Sequence, residues 1–219
     1  NDPYGRYTVA EDFEALDQQT LVNQYNMTWA SQKPVIFLSG KISDQQIAYL
    51  DQTLGQIQFS SPSLIIPSLT TAAKPSRIKE EKEGSVQSSI RFGLPAISRS
   101  HPDYFHFSVM NTVLGGYFGS RLQKNIREDK GFTYGISSSL APYPRGGYWV
   151  VGTDVNGENV EATLAEIKKE IQMLQNDLVP HQELDIVKSY LMGSFTGELT
   201  QAFDIAEKVR VIQLDGLAP

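Results

Sequence analysis

The chain has 219 residues, 40% of them hydrophobic, so it is long enough to bury a core and too long for a peptide hormone. Its 19 basic and 25 acidic residues leave a formal charge of -6 with no basic block able to follow a phosphate backbone, which argues against a nucleic-acid partner. The absence of cysteine removes disulfides, thiolate metal sites and thiol nucleophiles, and leaves the compartment open.

At the N-terminus, Asn1-Asp2-Pro3-Tyr4-Gly5 has neither the basic start nor the apolar stretch of a signal peptide. No apolar run in the chain approaches the roughly 20 residues that span a bilayer, so no membrane segment is expected. Asp17 suits the cap of a helix running to about Tyr25. Pro34 then precedes Val35-Ile36-Phe37-Leu38, an apolar run that predicts a short buried strand ending near Gly40. Ser43 with Gln46 fits a capping box for a second helix, on which Ile47, Leu50, Leu54 and Ile57 repeat at helical spacing.

From Phe59 to Pro75 the Ser, Thr and Pro content predicts a linker. The charged stretch Arg77 to Glu83 reads as a solvated edge strand, and Val86, Ser88, Ile90 and Phe92 alternate as in a half-buried strand. A helix is expected from Asp103 to Leu114, with Phe107, Met110 and Leu114 as its stripe and Gly115-Gly116 as its stop. Ser120 and Gln123 fit another capping box, for a helix through Arg127 that Gly131 should close. Phe132–Leu140 and Tyr148–Val155 read as a hairpin turning through Pro144-Arg145-Gly146-Gly147.

Val160, Leu164, Ile167, Ile171 and Leu174 share one face of a long helix. Two further helices are expected, His181 to Phe195 and Thr200 to Leu214, the last stopping at Gly216. Strands and helices are partly segregated, so the class is α+β, a mixed and largely antiparallel sheet covered by helices.

The chemistry is sparse. A zincin-type site needs two His on one helix face with a nearby Glu, and the chain has only His101, His106 and His181. A spacing of five sends the first two to different helix faces, and His181 sits at a helix start, so all three read as surface or capping histidines. No G-x-S-x-G elbow occurs, Gly119-Ser120 reads as a helix cap, and Gly115-Gly116 with Gly119 lacks the Gly-Lys-Ser/Thr of a phosphate loop.

The stretch Leu114 to Ser139 is the suggestive one, with Arg127 and Tyr134 seven residues apart across Gly131. A reversal at Gly131 could aim both at one spot, where guanidinium and phenol can donate to carbonyls of an extended peptide. The plainer alternative is that Arg127 answers the helix dipole while Tyr134, sharing strand parity with Phe132 and Ile136, is simply buried.

This stretch is similar to the signature Leu-Gly-Gly-x-x-x-Ser-Arg-Leu followed by Arg-Glu-x-x-Gly-x-x-Tyr in the second, non-zinc domain of the pitrilysin/insulinase family of inverted-zincin metallopeptidases. Asp2-Pro3-Tyr4-Gly5-Arg6, Ser39-Gly40-Lys41-Ile42, Gln87-Ser88, Phe92-Gly93 and Gly193-Ser194-Phe195 extend the resemblance over nearly the whole chain. It implies tandem αβ domains, as in mitochondrial-processing-peptidase-like folds, whose halves close around a peptide chamber. Residues 1–60 would then end one domain, 61–76 link, and 77–219 form most of the second, substrate-binding type.

The H-x-x-E-H and further Glu that hold zinc in an active half are absent. The resemblance therefore implies that this segment binds no cofactor and that zinc sits on a partner or upstream domain. Its partners would be peptide substrate and a homologous zinc-bearing half, in the same chain or another. By motif position, Arg127 and Tyr134 match the family's substrate-binding pair. A non-catalytic structural or assembly subunit of the same fold is the alternative the resemblance leaves open.

Overall fold

Residues 7–59, 74–144 and 146–217 are described in the computed structural model of the protein. The expected loop at Asp2–Arg6, most of the expected linker and Arg145 of the hairpin turn lie outside the described residues. Two units are distinguished by their internal contacts, residues 1–70 with 200–211 and residues 71–199 with 212–219.

The first unit carries α1 (Ala10–Glu14), α2 (Gln18–Thr28) and α3 (Asp44–Thr53). Asp17 caps α2 as its position predicts, accepting from the Thr20 amide at 2.6 Å, and this bond holds its carboxyl below the usual carboxylate range. Ser43 and Gln46 form the reciprocal capping box of α3: Gln46 N donates to Ser43 Oγ at 3.4 Å and Ser43 N to Gln46 Oε1 at 2.8 Å. No residue of these three helices is buried.

The strand expected at Val35–Leu38 does not form. A strand exists only by pairing, and among the described residues no second strand lies in this unit to complete a ladder, so Val35, Ile36 and Leu38 stay exposed.

The second unit holds the core. Its strands are β1 (Gln87–Pro95), β2 (Ile136–Tyr143) and β3 (Gly146–Asn156), in the order β1-β3-β2 and antiparallel throughout. The register places Ile90 and Ile136 on either side of Thr153. Every second residue of β3 from Trp149 to Val155 is consequently buried, the period of a strand covered on one face.

Against that face pack α4 (Tyr104–Asn111) with the π-helical turn Thr112–Gly116 that prolongs it, the π-helical segment Gln123–Asp129, and α5 (Val160–Asn176). Leu114, Leu122, Ile126, Ile136, Trp149, Val151 and Ile167 form the central cluster. Each fully buried aliphatic side chain contributes roughly 1.5–3 kcal/mol of burial free energy. α6 (His181–Glu198) completes the helices of this unit, while most of α7 (Ala202–Asp215) falls in the first unit. The class is α+β, as the segregated pattern predicts.

Three local expectations fail here for identifiable reasons. Residues 77–83 form no strand; Arg77 pairs with Glu161 and Lys79 with Glu81, so side chains rather than a ladder engage this charged segment. The capping box at Ser120 is not made. The Gln123 amide nitrogen instead donates to the Ile136 carbonyl of the edge strand β2 at 2.7 Å, while the Ser120 hydroxyl is buried without a hydrogen-bond partner. Finally, β2 starts at Ile136 and not at Phe132, because the backbone of the intervening residues is engaged elsewhere.

Arg121 ties the motif turn to the first turn of α6 by a bidentate bond to Glu183, at 2.9 and 2.7 Å. The Arg121 hydrogen bond holds the Glu183 carboxyl below its ordinary value of 4.5, against the opposing effect of burial. A depressed folded-state pKa contributes stability above the unfolded value and loses it as pH falls through the folded one. Glu183→Gln is therefore expected to cost about 1–2 kcal/mol at neutral pH, the two side chains being only 15% and 26% exposed. Melting curves of variant and parent should converge as pH drops below 4.5. A gap independent of pH would show that the pair's charge is not what stabilises this contact.

Candidate functional site

The motif stretch separates into residues that build the unit and residues that face solvent. Leu114 and Leu122 are core. Gly115 is where the end of the α4 helix meets β2. A Cβ there would lie 2.6 Å from Ser138 Oγ and 2.7 Å from the Ser138 backbone nitrogen, closer than atoms pack. Gly115→Ala is expected to destabilise the unit by about 1–3 kcal/mol through forced separation of helix and strand. Calorimetry would detect this, and an unchanged melting temperature would mean that β2 can retreat freely.

The segment Gln123–Asp129 is held at every turn. Ile126 is fully buried, Gln123 reaches Ile136, and the Asn125 amide donates to Glu166 at 2.9 Å and to Glu170 at 2.7 Å on α5. The Asn125 bond, helped by Lys130 and Lys169, keeps Glu166 ionised below the usual range. Chain reversal then needs a left-handed residue, and Gly131 supplies it at φ 64°.

Arg127 is the outward member of this anchored segment. Its Nε donates to the backbone carbonyl of Tyr134 at 2.9 Å, and its guanidinium carbon lies 4.5 Å from the centre of the Phe118 ring. Its own side chain is 28% exposed.

The Thr133 hydroxyl sits 2.7 Å from the Asp154 carbonyl and accepts from the Gly135 amide at 3.1 Å and from Thr153 Oγ1 at 2.9 Å. These bonds use the groups that would otherwise extend β2 towards Phe132. They correct the strand parity expected for Tyr134: Ile136 is buried, but Tyr134 is 95% exposed, with no hydrogen bond from its hydroxyl among the described residues. The structure thus joins Arg127 to Tyr134 through the tyrosine's backbone, leaving the phenol free on a firmly tied loop.

Phe118, 64% exposed, stands beside them and carries no signal in residue spacing. Chemically, this grouping offers one phenolic donor and an exposed ring lying against a cation. The Glu128 carboxylate also stands 3.7 Å from the Arg127 guanidinium.

The histidines lie apart. His101 Nδ1 accepts from the Asp103 amide at 3.1 Å, His106 is exposed on α4, and His181 opens α6. Among the described residues no group of three or more His, Cys, Asp or Glu is arranged to hold a metal, so the donor set does not fit zinc. A polar hollow of about 300 Å³ on the outer sheet face, lined by Arg91, Ser137, Ser139, Gly152 and Asp154, has hydroxyls but no histidine to activate them. Among the described residues no helix is long and apolar enough to cross a membrane.

Comparison with known proteins gives a consistent pattern. The family model described as peptidase M16 inactive domain matches residues 15–191. A protein of Bacillus subtilis named uncharacterized zinc protease YmxG is 26% identical over 163 residues, covering 73% of this chain and 38% of its own length. Another, of Helicobacter pylori, is named non-peptidase homolog YmxG and is 27% identical over 190 residues, covering 84% of this chain and 43% of itself.

The chain thus spans less than half the length of these curated relatives. Among solved structures, a peptidase M16 inactive domain from Pseudomonas fluorescens superposes with a TM-score of 0.74 at 24% identity, over 95% of this chain and 50% of that one. A protease from Helicobacter pylori gives a TM-score of 0.83 at 15% identity, over 95% and 51%. At these identities the structural likeness establishes the fold.

Proposed function

The chain belongs to the peptidase M16 inactive-domain family, and from that premise we propose that it is the substrate-binding, non-zinc-binding part of a zinc metallopeptidase that hydrolyses peptides in a closed chamber. The observation that carries this reading is Tyr134: a 95% exposed phenol on a loop fixed by Arg127 and Thr133. A ring in that position adds little to stability, whereas a donor carried on a fixed backbone suits recognition of a carbonyl. Arg127 would hold Tyr134 in place, and Tyr134 would hydrogen-bond the carbonyl under attack as negative charge develops on its oxygen.

Zinc and the water-activating Glu would come from a homologous half, in the same chain or in a partner chain. Residues 1–60 would close a preceding domain and 77–219 form most of the substrate-binding one, inactive alone. The test is peptidase activity of the full-length parent with a mixed-length peptide set, with and without zinc and any adjacent family partner. Zinc-dependent cleavage supports the reading.

A second reading is favoured by relatives named non-peptidase homolog and probable inactive metalloprotease. In it the chain belongs to a structural or assembly subunit. No cleavage in any pairing, with zinc unbound, would favour that one.

A further inference from the structure

We propose that Phe118 is a specificity-determining residue of the same site, an apolar wall for one side chain of the bound peptide next to the carbonyl that Tyr134 engages. The inference rests on the peptide-binding reading of Arg127 and Tyr134 and names the class of peptide they receive: one with a bulky apolar residue at that position.

Phe118 is exposed without being loose. The residue before it, Tyr117, stacks on Tyr190 of α6 with ring centroids 5.0 Å apart. Two residues after it, Ser120 is buried, and its amide closes the turn on the Tyr117 carbonyl at 3.1 Å. Arg121 then fastens to Glu183. The backbone carrying Phe118 is therefore anchored on both sides while 64% of the residue meets water.

The Phe118 ring takes no part in the core cluster. Its described ring contact is the Arg127 guanidinium, and a cation over an exposed ring is worth only about 0.5–1 kcal/mol. Folding alone does not account for an aromatic ring mounted this way.

The position of Arg127 does. One guanidinium binds the Tyr134 carbonyl and covers Phe118, so a single side chain links the Phe118 ring to the backbone that carries Tyr134. Rigid aromatic side chains beside an arginine are the usual make-up of binding hot spots, because they offer large contact area at small entropic cost. Arg127 is accordingly a positioning residue for the Phe118 ring and for the Tyr134 loop. A peptide whose carbonyl meets Tyr134 can lay an adjacent side chain on Phe118, displacing water from apolar surface, which favours Leu, Met or Phe over Ser or Asp.

The experiment is a positional-scanning peptide library bound to the full-length protein, read by fluorescence anisotropy, for the parent and for Phe118→Ala, Phe118→Leu and Tyr134→Ala. Thermal melts should shift little, by no more than the Phe118–Arg127 contact contributes. The parent should prefer apolar residues at one position, Phe118→Ala should cut that preference about tenfold, and Phe118→Leu should keep most of it. Tyr134→Ala should weaken all peptides alike.

If Phe118→Ala leaves the preference intact while Tyr134→Ala still weakens binding, this inference falls and the Arg127–Tyr134 reading stands. If the parent binds no peptide, or binding ignores both substitutions, both fall.

Discussion

On the peptidase reading proposed above, Tyr134→Phe in the full-length parent protein supplied with zinc is expected to lower kcat by about 10²–10³-fold, the usual consequence of deleting one donor to a developing oxyanion. KM should move much less. The phenol makes no hydrogen bond within the described residues and its ring is solvated, so the substitution leaves the fold unstrained and the melting temperature unchanged. A donor that strengthens its bond as charge accumulates on the carbonyl acts on the transition state, and its loss appears in turnover rather than in affinity.

Arg127→Ala should reproduce part of this effect by releasing the Tyr134 carbonyl, a contact of 2.9 Å that an alanine cannot make. Steady-state kinetics on a defined peptide decides it. Equal kcat for parent and Tyr134→Phe would remove the tyrosine from the mechanism. A shift confined to KM would reduce it to a binding contact.

The largest expected effect on stability lies at Asn111. Its amide nitrogen donates to the Ser138 carbonyl at 3.3 Å and its amide oxygen accepts from the indole of Trp149 at 2.8 Å. The Asn111 carbonyl in turn receives the Ser138 hydroxyl at 3.2 Å. All three residues are buried. The network fastens α4 to two strands where Gly115 leaves no slack.

Asn111→Ala strands a buried indole N–H and a buried carbonyl, each costing about 1–3 kcal/mol. The unit should lose roughly 2–4 kcal/mol, with Trp149 reporting through its fluorescence on denaturation. Ser138→Ala should be milder, because it removes a hydroxyl and leaves the Trp149–Asn111 bond in place. Equal losses in the two variants would argue against a shared network centred on Asn111.

Much of this architecture is written locally. Asp17, the Ser43–Gln46 pair and Gly131 act through their own neighbours, so α2, α3 and the reversal after Asp129 follow from short-range rules. The apolar periods at Ile90–Phe92, Trp149–Val155 and Val160–Leu174 likewise show which faces are buried. The motif from Leu114 to Tyr134 was enough to indicate the family. What residue spacing missed had distant partners. Asn111 sits between the apolar residues Met110 and Val113, where an amide in a buried stripe opposite a strand Trp was the available clue. Phe118 carried none, since its neighbour Arg127 is nine positions away.

The sequence by itself determined the α+β class, most of the helices, the hairpin and the family, and it singled out Arg127 and Tyr134 as candidates, because capping, periodicity and motif spacing are properties of adjacent residues. Tertiary structure decided the rest. Val35–Leu38 has the composition of a strand, but a strand needs a partner to hold its backbone groups, and none forms among the described residues. Gln123 has the position of a capping residue, yet an unpaired edge carbonyl at Ile136 takes its amide. Tyr134 has the parity of a buried residue, but Arg127 and Thr133 take the backbone groups that would extend the strand, and the ring turns out to solvent. In the last two cases two hydrogen-bonding uses of the same group competed, and only the fold brought the winning partner near.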